Sequence, residues 1–357
     1  MQYDKVTVII PSLNPDEKLM NIVDELETRG FSDIIVVNDG SEKEHLQYFP
    51  DTEKHPCCTV LTHQINQGKG AALKTAFKFI LESRPNSEGV VTIDADGQHL
   101  VKDIEACVTA MQESGKIILG SRDFSQPNVP PRSRFGNRST SLVFLLFCGL
   151  RISDTQTGLR AVPKEFLPML LDVKGERYEY ETNMLLELKK QHLPYHEVEI
   201  DTVYIDDNQS SHFRPVRDSL RIYKPIIVYC MSSGLSTLTD LVVFFLLSKF
   251  VFSGVGDIIW STVLARIVSA TVNFLLNRNA VFGKHGKMLS SLLKYAAVAL
   301  PVMLISAFSV KGLEFILDVH SKLLLTVIKM AVDTSLFFIS FRFQQNWVFV
   351  SNNQKKG

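Results

Sequence analysis

The chain has 357 residues, of which 45% are hydrophobic, and its 38 basic side chains equal its 38 acidic side chains in number. A disordered tail is poor in hydrophobic residues, and a protein that binds nucleic acid through charge has a basic excess, so the composition excludes both classes. The five cysteines lack the spacing of a disulfide framework or a metal site, which is typical of a protein in a reducing cytosol. The length of the chain favours about two domains. No cleaved signal peptide is expected, because a strand-like segment follows the first residues directly.

Up to about residue 219 the sequence predicts alternating strands and helices. Short runs rich in β-branched residues predict strands at 6–11, 33–38, 59–63, 89–93 and 116–120. Helical spacing predicts helices at 18–29, 70–82 and 101–114. Apolar strands that alternate with helices are typical of an α/β domain with a mainly parallel sheet covered on both faces. Ligands bind beyond the carboxyl ends of the strands in such a sheet.

From about residue 226 the sequence consists of long apolar runs. They lie at 226–250, 258–280, 290–317 and 322–349. Each has the roughly 20 residues that are needed to cross a bilayer. We therefore expect an all-α, four-helix transmembrane domain at 226–357. A large buried helical core is the alternative, but four such runs leave too little polar surface for a soluble bundle.

Basic residues flank these runs unevenly. They concentrate before the first run, between the second and third runs and at the chain end, as Arg214, Arg217, Arg221, Lys224, Arg278, Lys284, Lys287, Lys294, Lys355 and Lys356. The positive-inside rule then predicts that both termini and the domain at 1–211 are cytoplasmic. The expected location is the cell membrane, with several passes.

Two segments of the second half resemble each other. NFLLNRNAVF at 273–282 and SFRFQQNWVF at 340–349 each close an even-numbered run, and the offset between them is 67 residues. We expect the membrane domain to consist of two similar hairpins. The alternative is chance recurrence of the polar and aromatic composition that is typical of a membrane interface.

With an offset of 67 residues, Arg266 of the second run aligns in sequence with Asp333 of the fourth run. An isolated charge inside a span costs at least about 2.5–3.5 kcal/mol, so the packed hairpins are expected to pair these two charges. Lys329, one helical turn from Asp333, and Asp240 in the first run are the alternative partners.

Acidic residues follow two of the predicted strands. Asp94 and Asp96, separated by one small residue, come directly after the strand at 89–93, and Asp39 ends the strand at 33–38. Two carboxylates placed in this way can hold Mg²⁺, which needs only one or two protein carboxylates besides phosphate oxygens. Such pairs often cap a turn instead, but the second acidic strand end favours the metal-binding interpretation.

Six ordered motifs carry a resemblance to a known family. They are VIIP at 8–11, VNDGS at 37–41, NQGKG at 66–70, DADGQH at 94–99, GSR at 120–122 and DTQTGLR at 154–160. The first four resemble motifs of family 2 glycosyltransferases with the GT-A fold. The last two are similar to the branch of dolichyl-phosphate mannose synthase. The remainder resembles the GtrA-like four-span membrane domain through FFLL at 244–247 and NFLLNR at 273–278.

The resemblance implies a donor site at the strand ends, with Asp39 directed to the base or ribose. The residues that would contact the nucleotide sugar are Pro11, Asn14, Glu17, Asp39, Lys69, Asp94 and His212. Asp16 is the alternative to Glu17, and a structural role is the alternative for His212. Asp94, Asp96 and Gln98 would hold Mg²⁺ or Mn²⁺. The residues of the reaction itself would be Asp94, Asp96 and Arg122.

The resemblance also implies that Arg122, Arg134 and Arg138 bind a polyprenyl phosphate. The mostly apolar segment 139–150 is too short to span a bilayer but suits an interfacial helix. Guanidinium groups beside such a helix can bind a lipid phosphate in a bidentate manner. Contact of this basic face with anionic headgroups is the alternative. A second interfacial helix, next to the membrane domain, is predicted at 212–225.

The predicted activity is inverting, metal-dependent transfer of a hexose from a nucleotide sugar to a polyprenyl phosphate, for cell-envelope glycosylation. A UDP-sugar and undecaprenyl phosphate are the expected substrates. A phosphate monoester has its second pKa near about 6, so it attacks at pH 7 without a catalytic base. The alternatives are use of GDP-mannose, a synthase that also flips its product, a membrane domain that only anchors, and direct transfer to a polysaccharide. No nucleic-acid partner is expected, and a homo-oligomer formed through the membrane domain is a further expectation.

Overall fold

The chain forms two compact units, Met1–Arg221 and Ile222–Gly357. The structure is a computed structural model, and it describes residues 3–126, 129–201, 215–251, 257–282, 287–318 and 322–349. The first unit is α/β and the second is helical.

A seven-stranded sheet forms the centre of the first unit. The strands are β1 (Val6–Ser12), β2 (Ile34–Asp39), β3 (Cys58–His63), β4 (Gly89–Thr92), β5 (Ile117–Arg122), β6 (Arg160–Pro163) and β7 (Tyr195–Ile200). Their order in the sheet is β3-β2-β1-β4-β6-β5-β7. Only β6 pairs antiparallel with its neighbours β4 and β5, so the predicted mainly parallel sheet is confirmed.

Helices cover both faces of this sheet. They are α1 (Glu17–Thr28), α2 (Tyr48–Thr52), α3 (Lys69–Ser83), α4 (Val101–Ser114), α5 (Pro131–Val143), α6 (Leu167–Leu171) and α7 (Glu179–Lys190). The apolar residues of α1 recur at helical spacing and are buried, and each such side chain contributes on the order of 2 kcal/mol. Every residue of β2 and β4 is buried, which explains the apolar runs IIVV at 34–37 and GVV at 89–91.

The strand order brings four loop starts to one edge of the sheet. β1 lies between β2 and β4 and runs parallel to both, so the segments after Ser12, Asp39 and Thr92 leave the sheet side by side. Because β6 is antiparallel to both β4 and β5, these two strands point the same way. Arg122 at the end of β5 therefore lies at the same edge as Asp94.

The described part of the second unit contains most of the long helix α8 (Pro215–Phe250) and all of α9 (Asp257–Leu276), α10 (Met288–Ile316) and α11 (Lys322–Phe343). Two stretches, Ile227–Phe250 and Met288–Leu313, are long and apolar enough to cross a membrane. Among the described residues α9 and α11 do not meet the same criterion, so the predicted count of four spans is not confirmed. The juxtamembrane helix was predicted at 212–225. Residues 215–225 form the first part of α8, and residues 212–214 lie outside the described residues.

The contacts within the second unit follow the offset of the sequence repeat. A π-helical turn follows α9 at Asn277–Val281, and another follows α11 at Gln344–Val348. Phe282 stacks on its counterpart Phe349 with ring centroids 5.2 Å apart. Phe274 lies 5.8 Å from Phe349, and its counterpart Phe341 lies 5.4 Å from Phe282. Such reciprocal contacts are those of two units related by a two-fold axis, so they support the two predicted hairpins.

The predicted ion pair between Arg266 and Asp333 is wrong. Arg266 lies 3.5 Å from Asp240 of α8, and Asp333 lies 2.7 Å from Lys329 on the same helix. Asp333 also accepts a hydrogen bond from Ser306 of α10. Each charge is thus compensated by a partner within its own hairpin. The two alternative partners named from the sequence are the ones that the structure shows.

Candidate active site

Asp94 is the centre of a charged cluster beyond the end of β4. The ammonium of Lys69, the first residue of α3, lies 2.5 Å from Oδ1 of Asp94 and 2.9 Å from Oε1 of Glu181 on α7. His99 Nε2 lies 3.5 Å from the second oxygen of Asp94. Burial disfavours the charged form of Asp94, but Lys69 and His99 hold its pKa below the ordinary value. Burial likewise opposes the charge of Lys69, yet the two carboxylates raise its pKa.

Asp96 lies in the same turn, in which Gly97 has a φ of 75°. Its Oδ1 atom accepts a hydrogen bond of 3.0 Å from the backbone N–H of Gln98. Burial, and then the negative charge of Asp94, raise the pKa of Asp96 above its ordinary value. A bound cation would remove this repulsion.

A divalent cation fits this turn only together with a substrate. Among the described residues no group of three or more His, Cys, Asp and Glu side chains could hold a metal ion. Asp94 and Asp96, with the amide of Gln98, are oxygen ligands of the kind that Mg²⁺ and Mn²⁺ prefer. Mg²⁺ needs only one or two carboxylates where a phosphate supplies further oxygens, so this donor set is sufficient for a metal bound with a diphosphate.

Asp39 is buried, and both of its carboxylate oxygens accept hydrogen bonds from the protein. The donors are Nδ1 of His63 at 2.7 Å, the N–H of Gln67 at 2.9 Å and the N–H of Gly68 at 2.7 Å. These bonds order the loop that leads into α3, in which Gly68 has a φ of 106°. The contact of Asp39 with a base or ribose stays a prediction.

The first loop is tied to the loop after β2. Asn14 has a φ of 53°, its side-chain oxygen accepts a bond from the N–H of Glu42, and its own N–H donates to Ser41 Oγ. Asp16 and Glu17 are both exposed at the start of α1, but Asp16 is engaged as the cap, since it accepts a hydrogen bond from the N–H of Lys18. The side chain of Glu17 is therefore the more available of the two alternatives for a ligand.

Arg122 is held by a residue of the 154–160 motif. The buried carboxylate of Asp154 accepts hydrogen bonds of 2.6 Å from Nε and 3.2 Å from Nη2 of Arg122. The guanidinium also lies over the ring of Phe124, 5.1 Å from its centroid. A bidentate pair and a stacked ring fix the plane of the guanidinium, which leaves its position well defined at the sheet edge.

Helix α5 carries the other two predicted acceptor residues. Arg134 donates from Nη2 to the carbonyl of Gln126 at 2.7 Å, and its buried Nε has no hydrogen-bond partner among the described residues. Arg138 is exposed. Phe135 and Leu142, which share a face of the helix, are 75% and 53% exposed. The predicted interfacial helix at 139–150 is thus the end of α5 and a π-helical turn that Gly149 terminates.

Two residues near Asp94 were not singled out from the sequence. Glu181 is the second carboxylate on Lys69, and Arg160 is a fully buried cation that donates from Nη1 to the carbonyl of Glu181 at 2.7 Å. Gly158 packs so closely that a Cβ atom there would lie 2.6 Å from Asp94 Oδ2. Arg160 and Gly158 belong to a motif that the sequence shows, but Glu181 has no local signal. His212 lies outside the described residues.

Comparison with known proteins assigns both parts of the chain. Residues 7–166 match the model of glycosyl transferase family 2, and residues 228–349 match the model of the GtrA/DPMS transmembrane domain. An uncharacterized protein of Methanocaldococcus jannaschii is 32% identical over 212 residues, which cover 58% of this chain and 85% of that protein. The UDP-N-acetylglucosamine–dolichyl-phosphate N-acetylglucosaminyltransferase of Methanococcus voltae is 30% identical over 220 residues, with shares of 56% and 86%.

Among solved structures, the glucosyl-3-phosphoglycerate synthase of Mycobacterium tuberculosis in complex with Mn²⁺, UDP and phosphoglyceric acid is similar to the chain. It is 17% identical with a TM-score of 0.44, over 63% of this chain and 76% of that one. The chain therefore belongs to glycosyl transferase family 2 and carries a GtrA/DPMS transmembrane domain after its α/β domain.

Proposed function

We propose that the protein transfers a hexose from a UDP-sugar to undecaprenyl phosphate, with inversion at the sugar carbon. The observation that carries this proposal is the position of Arg122 at the sheet edge that also holds the Asp94–Lys69 pair. A cation and a carboxylate turn suit a donor diphosphate, and a fixed guanidinium suits a second phosphate. The name of the Methanococcus voltae relative supports a UDP-linked donor and a lipid phosphate acceptor.

On the donor side, Asp96 and Gln98, together with Asp94, would hold Mg²⁺ or Mn²⁺. Such an ion supplies positive charge to the departing diphosphate. Lys69 would contact the diphosphate, because its ammonium already lies beside Asp94. Pro11, Asn14, Glu17 and Asp39 would border the nucleotide, and His212 is proposed as a further donor contact.

On the acceptor side, the lipid phosphate is itself the nucleophile. With a second pKa near about 6 it is largely dianionic at pH 7, so no side chain has to remove a proton. Arg122, Arg134 and Arg138 would reduce the repulsion between this phosphate and the donor diphosphate. The exposed apolar residues Phe135 and Leu142 on α5 would contact the lipid surface.

We also propose that the second unit crosses the cell membrane four times and leaves the glycosyltransferase domain in the cytoplasm. The two apolar stretches support membrane insertion, and the basic residues between the second and third runs support the orientation. Single cysteines placed in each loop, labelled in intact cells with a membrane-impermeant reagent, test both statements. Labelling from outside of cysteines placed at 283–286, between the second and third apolar runs, would contradict them.

The activity is tested with the purified full chain. Undecaprenyl phosphate is incubated with a panel of UDP- and GDP-sugars, and the lipid products are identified by mass. We expect one UDP-hexose to give a product heavier by one sugar residue and UDP to be released in equal amount. Sugar transfer from a GDP-sugar alone would favour the alternative synthase, and release of free sugar without a lipid product would contradict the proposal.

A further inference from the structure

Lys69 is shared between two carboxylates that come from distant parts of the chain. Its ammonium lies 2.5 Å from Asp94 and 2.9 Å from Glu181. The side chains of Lys69 and Glu181 are only 15% and 14% exposed, so both charges are largely removed from water. Burial of an unpaired charge is costly, and each member of this group depends on the others for compensation.

The position of Lys69 is unfavourable for a lysine by itself. As the first residue of α3 it lies at the positive end of the helix dipole, where acidic residues are preferred. Two carboxylates offset this repulsion, although one would be enough to form an ion pair. The presence of both indicates that Lys69 keeps a partner when Asp94 is engaged elsewhere.

Glu181 is held rigidly enough to act as that partner. The N–H of Ala71 in α3 donates to the carbonyl of Glu176 at 2.8 Å, which fixes the segment before α7 against the start of α3. A Cβ atom on Gly70 would lie 2.5 Å from Cβ of Tyr180, so the two segments are in close contact. Arg160 binds the carbonyl of Glu181 itself. These contacts aim the carboxylate at Lys69.

We propose that Glu181 is a positioning residue of the donor site, which retains the Lys69 ammonium for the donor diphosphate when Asp94 turns to the donor and its metal. This inference rests on the proposed function. In the ligand-free protein Lys69 neutralises Asp94. When a diphosphate binds, Lys69 exchanges Asp94 for a phosphate oxygen and stays anchored to Glu181. Without Glu181, Asp94 is the one remaining ion-pair partner of the ammonium among the described residues, and Lys69 competes with the donor for that carboxylate.

The test is a double-mutant cycle on nucleotide binding by the full chain in detergent. UDP is titrated calorimetrically in the presence of MgCl₂, with GDP in parallel, into the wild type, Lys69→Met, Glu181→Gln and the double variant. Loss of a charge-assisted contact predicts that Lys69→Met weakens UDP binding about 10- to 100-fold. Glu181→Gln should weaken it on the order of 3- to 10-fold, and the double variant should bind no more weakly than Lys69→Met.

Glu187→Gln is the matched control, because it breaks a similar ion pair with Lys190, of 2.8 Å, on the same helix. It should leave UDP affinity unchanged. In steady-state assays Glu181→Gln should raise the KM for the donor and leave the KM for the lipid phosphate unchanged, which a general loss of structure would not do. Should Glu181→Gln fail to fold, Glu181→Asp keeps the charge with a shorter reach and should show a smaller loss of affinity.

Three results would overturn the inference. They are wild-type UDP affinity in Glu181→Gln, wild-type affinity in Glu181→Asp, and losses that multiply in the double variant. The first and third mean that Glu181 does not act through Lys69, while donor binding by the wild type still supports the proposed function. If the wild-type protein binds neither UDP nor GDP, the proposed function is contradicted, and so is the role of Glu181 that rests on it.

Discussion

The side-chain amide of Asn277 donates a hydrogen bond of 2.9 Å to Oε1 of Gln344, its counterpart in the repeat. Both residues are buried and begin the two π-helical turns. Asn277 also accepts a bond from Ser232 of α8, and Gln344 donates to the hydroxyl of Tyr229. The pair therefore joins α8, α9 and α11 at the point where the two hairpins meet. A π-helical turn widens the helix locally, which directs these amides sideways toward each other.

Breaking this pair should destabilise the second unit. Asn277→Leu leaves the buried Oε1 of Gln344 without the hydrogen bond from Asn277, at a cost of about 1–3 kcal/mol, and leaves the hydroxyl of Ser232 only its bond to the carbonyl of Tyr229. We expect a clear fall in the thermal unfolding temperature, measured in detergent by intrinsic fluorescence. Asn279→Leu is the control, because Asn279 lies in the same turn but is exposed. Equal unfolding temperatures for the two variants would show that the pair adds no stability.

Asp96 should be essential for the use of the donor. Asp96→Asn keeps the shape of the side chain and removes its charge, so the fold is expected to persist while the rate falls on the order of 100-fold or more. A chelator should reproduce the loss in the wild type, and added Mg²⁺ or Mn²⁺ should restore activity. Asp51→Asn, at an exposed ion pair with Lys54, is the control and should be neutral. Full activity of the wild type in excess chelator would rule out the metal.

Arg122 should act on the lipid phosphate through its bidentate geometry. Arg122→Lys keeps the charge but cannot form both hydrogen bonds to Asp154, so the cation loses its fixed orientation. We expect the KM for polyprenyl phosphate to rise about tenfold or more, with UDP affinity unchanged. Arg134→Ala should act in the same direction. Arg29→Lys, at a surface pair with Glu105, serves as control. Loss of UDP affinity with an unchanged lipid KM would reverse the assignment.

The local patterns of the sequence predict the first part of the fold well. Apolar strands between amphipathic helices already require a covered parallel sheet, and parallel strands place their carboxyl ends at one edge. The proximity of Asp94 and the end of β5 follows from that rule. The strands β6 and β7 were not predicted, because β6 begins with an arginine and ends with a proline, and β7 is half-exposed with charged residues along it.

The local sequence patterns do not predict which distant segments of the chain contact each other. Glu181 lies in an ordinary helix, and nothing in its neighbourhood indicates that α7 packs against the start of α3. In the second unit the repeat predicts which positions are equivalent but not which partner each charge takes. Arg266 and Asp333 do occupy equivalent positions of the repeat. Arg266, however, forms its ion pair with Asp240, and Asp333 forms its ion pair with Lys329. Equivalence under a two-fold axis implies similar surroundings, not mutual contact.

Gly158 approaches the charged cluster around Asp94 more closely than any larger residue could. A Cβ atom at this position would lie 2.6 Å from Asp94 Oδ2 and 2.9 Å from Lys69 Nζ. Both distances are too short for contact, so Gly158→Ala must displace the ion pair from its position. Because the polar groups stay in place and only one methyl group is added, the cost in stability should be modest, about 1–3 kcal/mol.

Activity should suffer far more than stability in Gly158→Ala, since a displacement of the reacting geometry by about 1 Å can cost on the order of 100-fold in rate. The measurement is the steady-state rate together with the unfolding temperature. Gly136→Ala is the control: this glycine lies within α5 with open space around it, so the substitution should favour the helix slightly. If Gly158→Ala keeps the wild-type rate, the Lys69–Asp94 pair tolerates displacement, and its geometry cannot be what prepares the site for the donor.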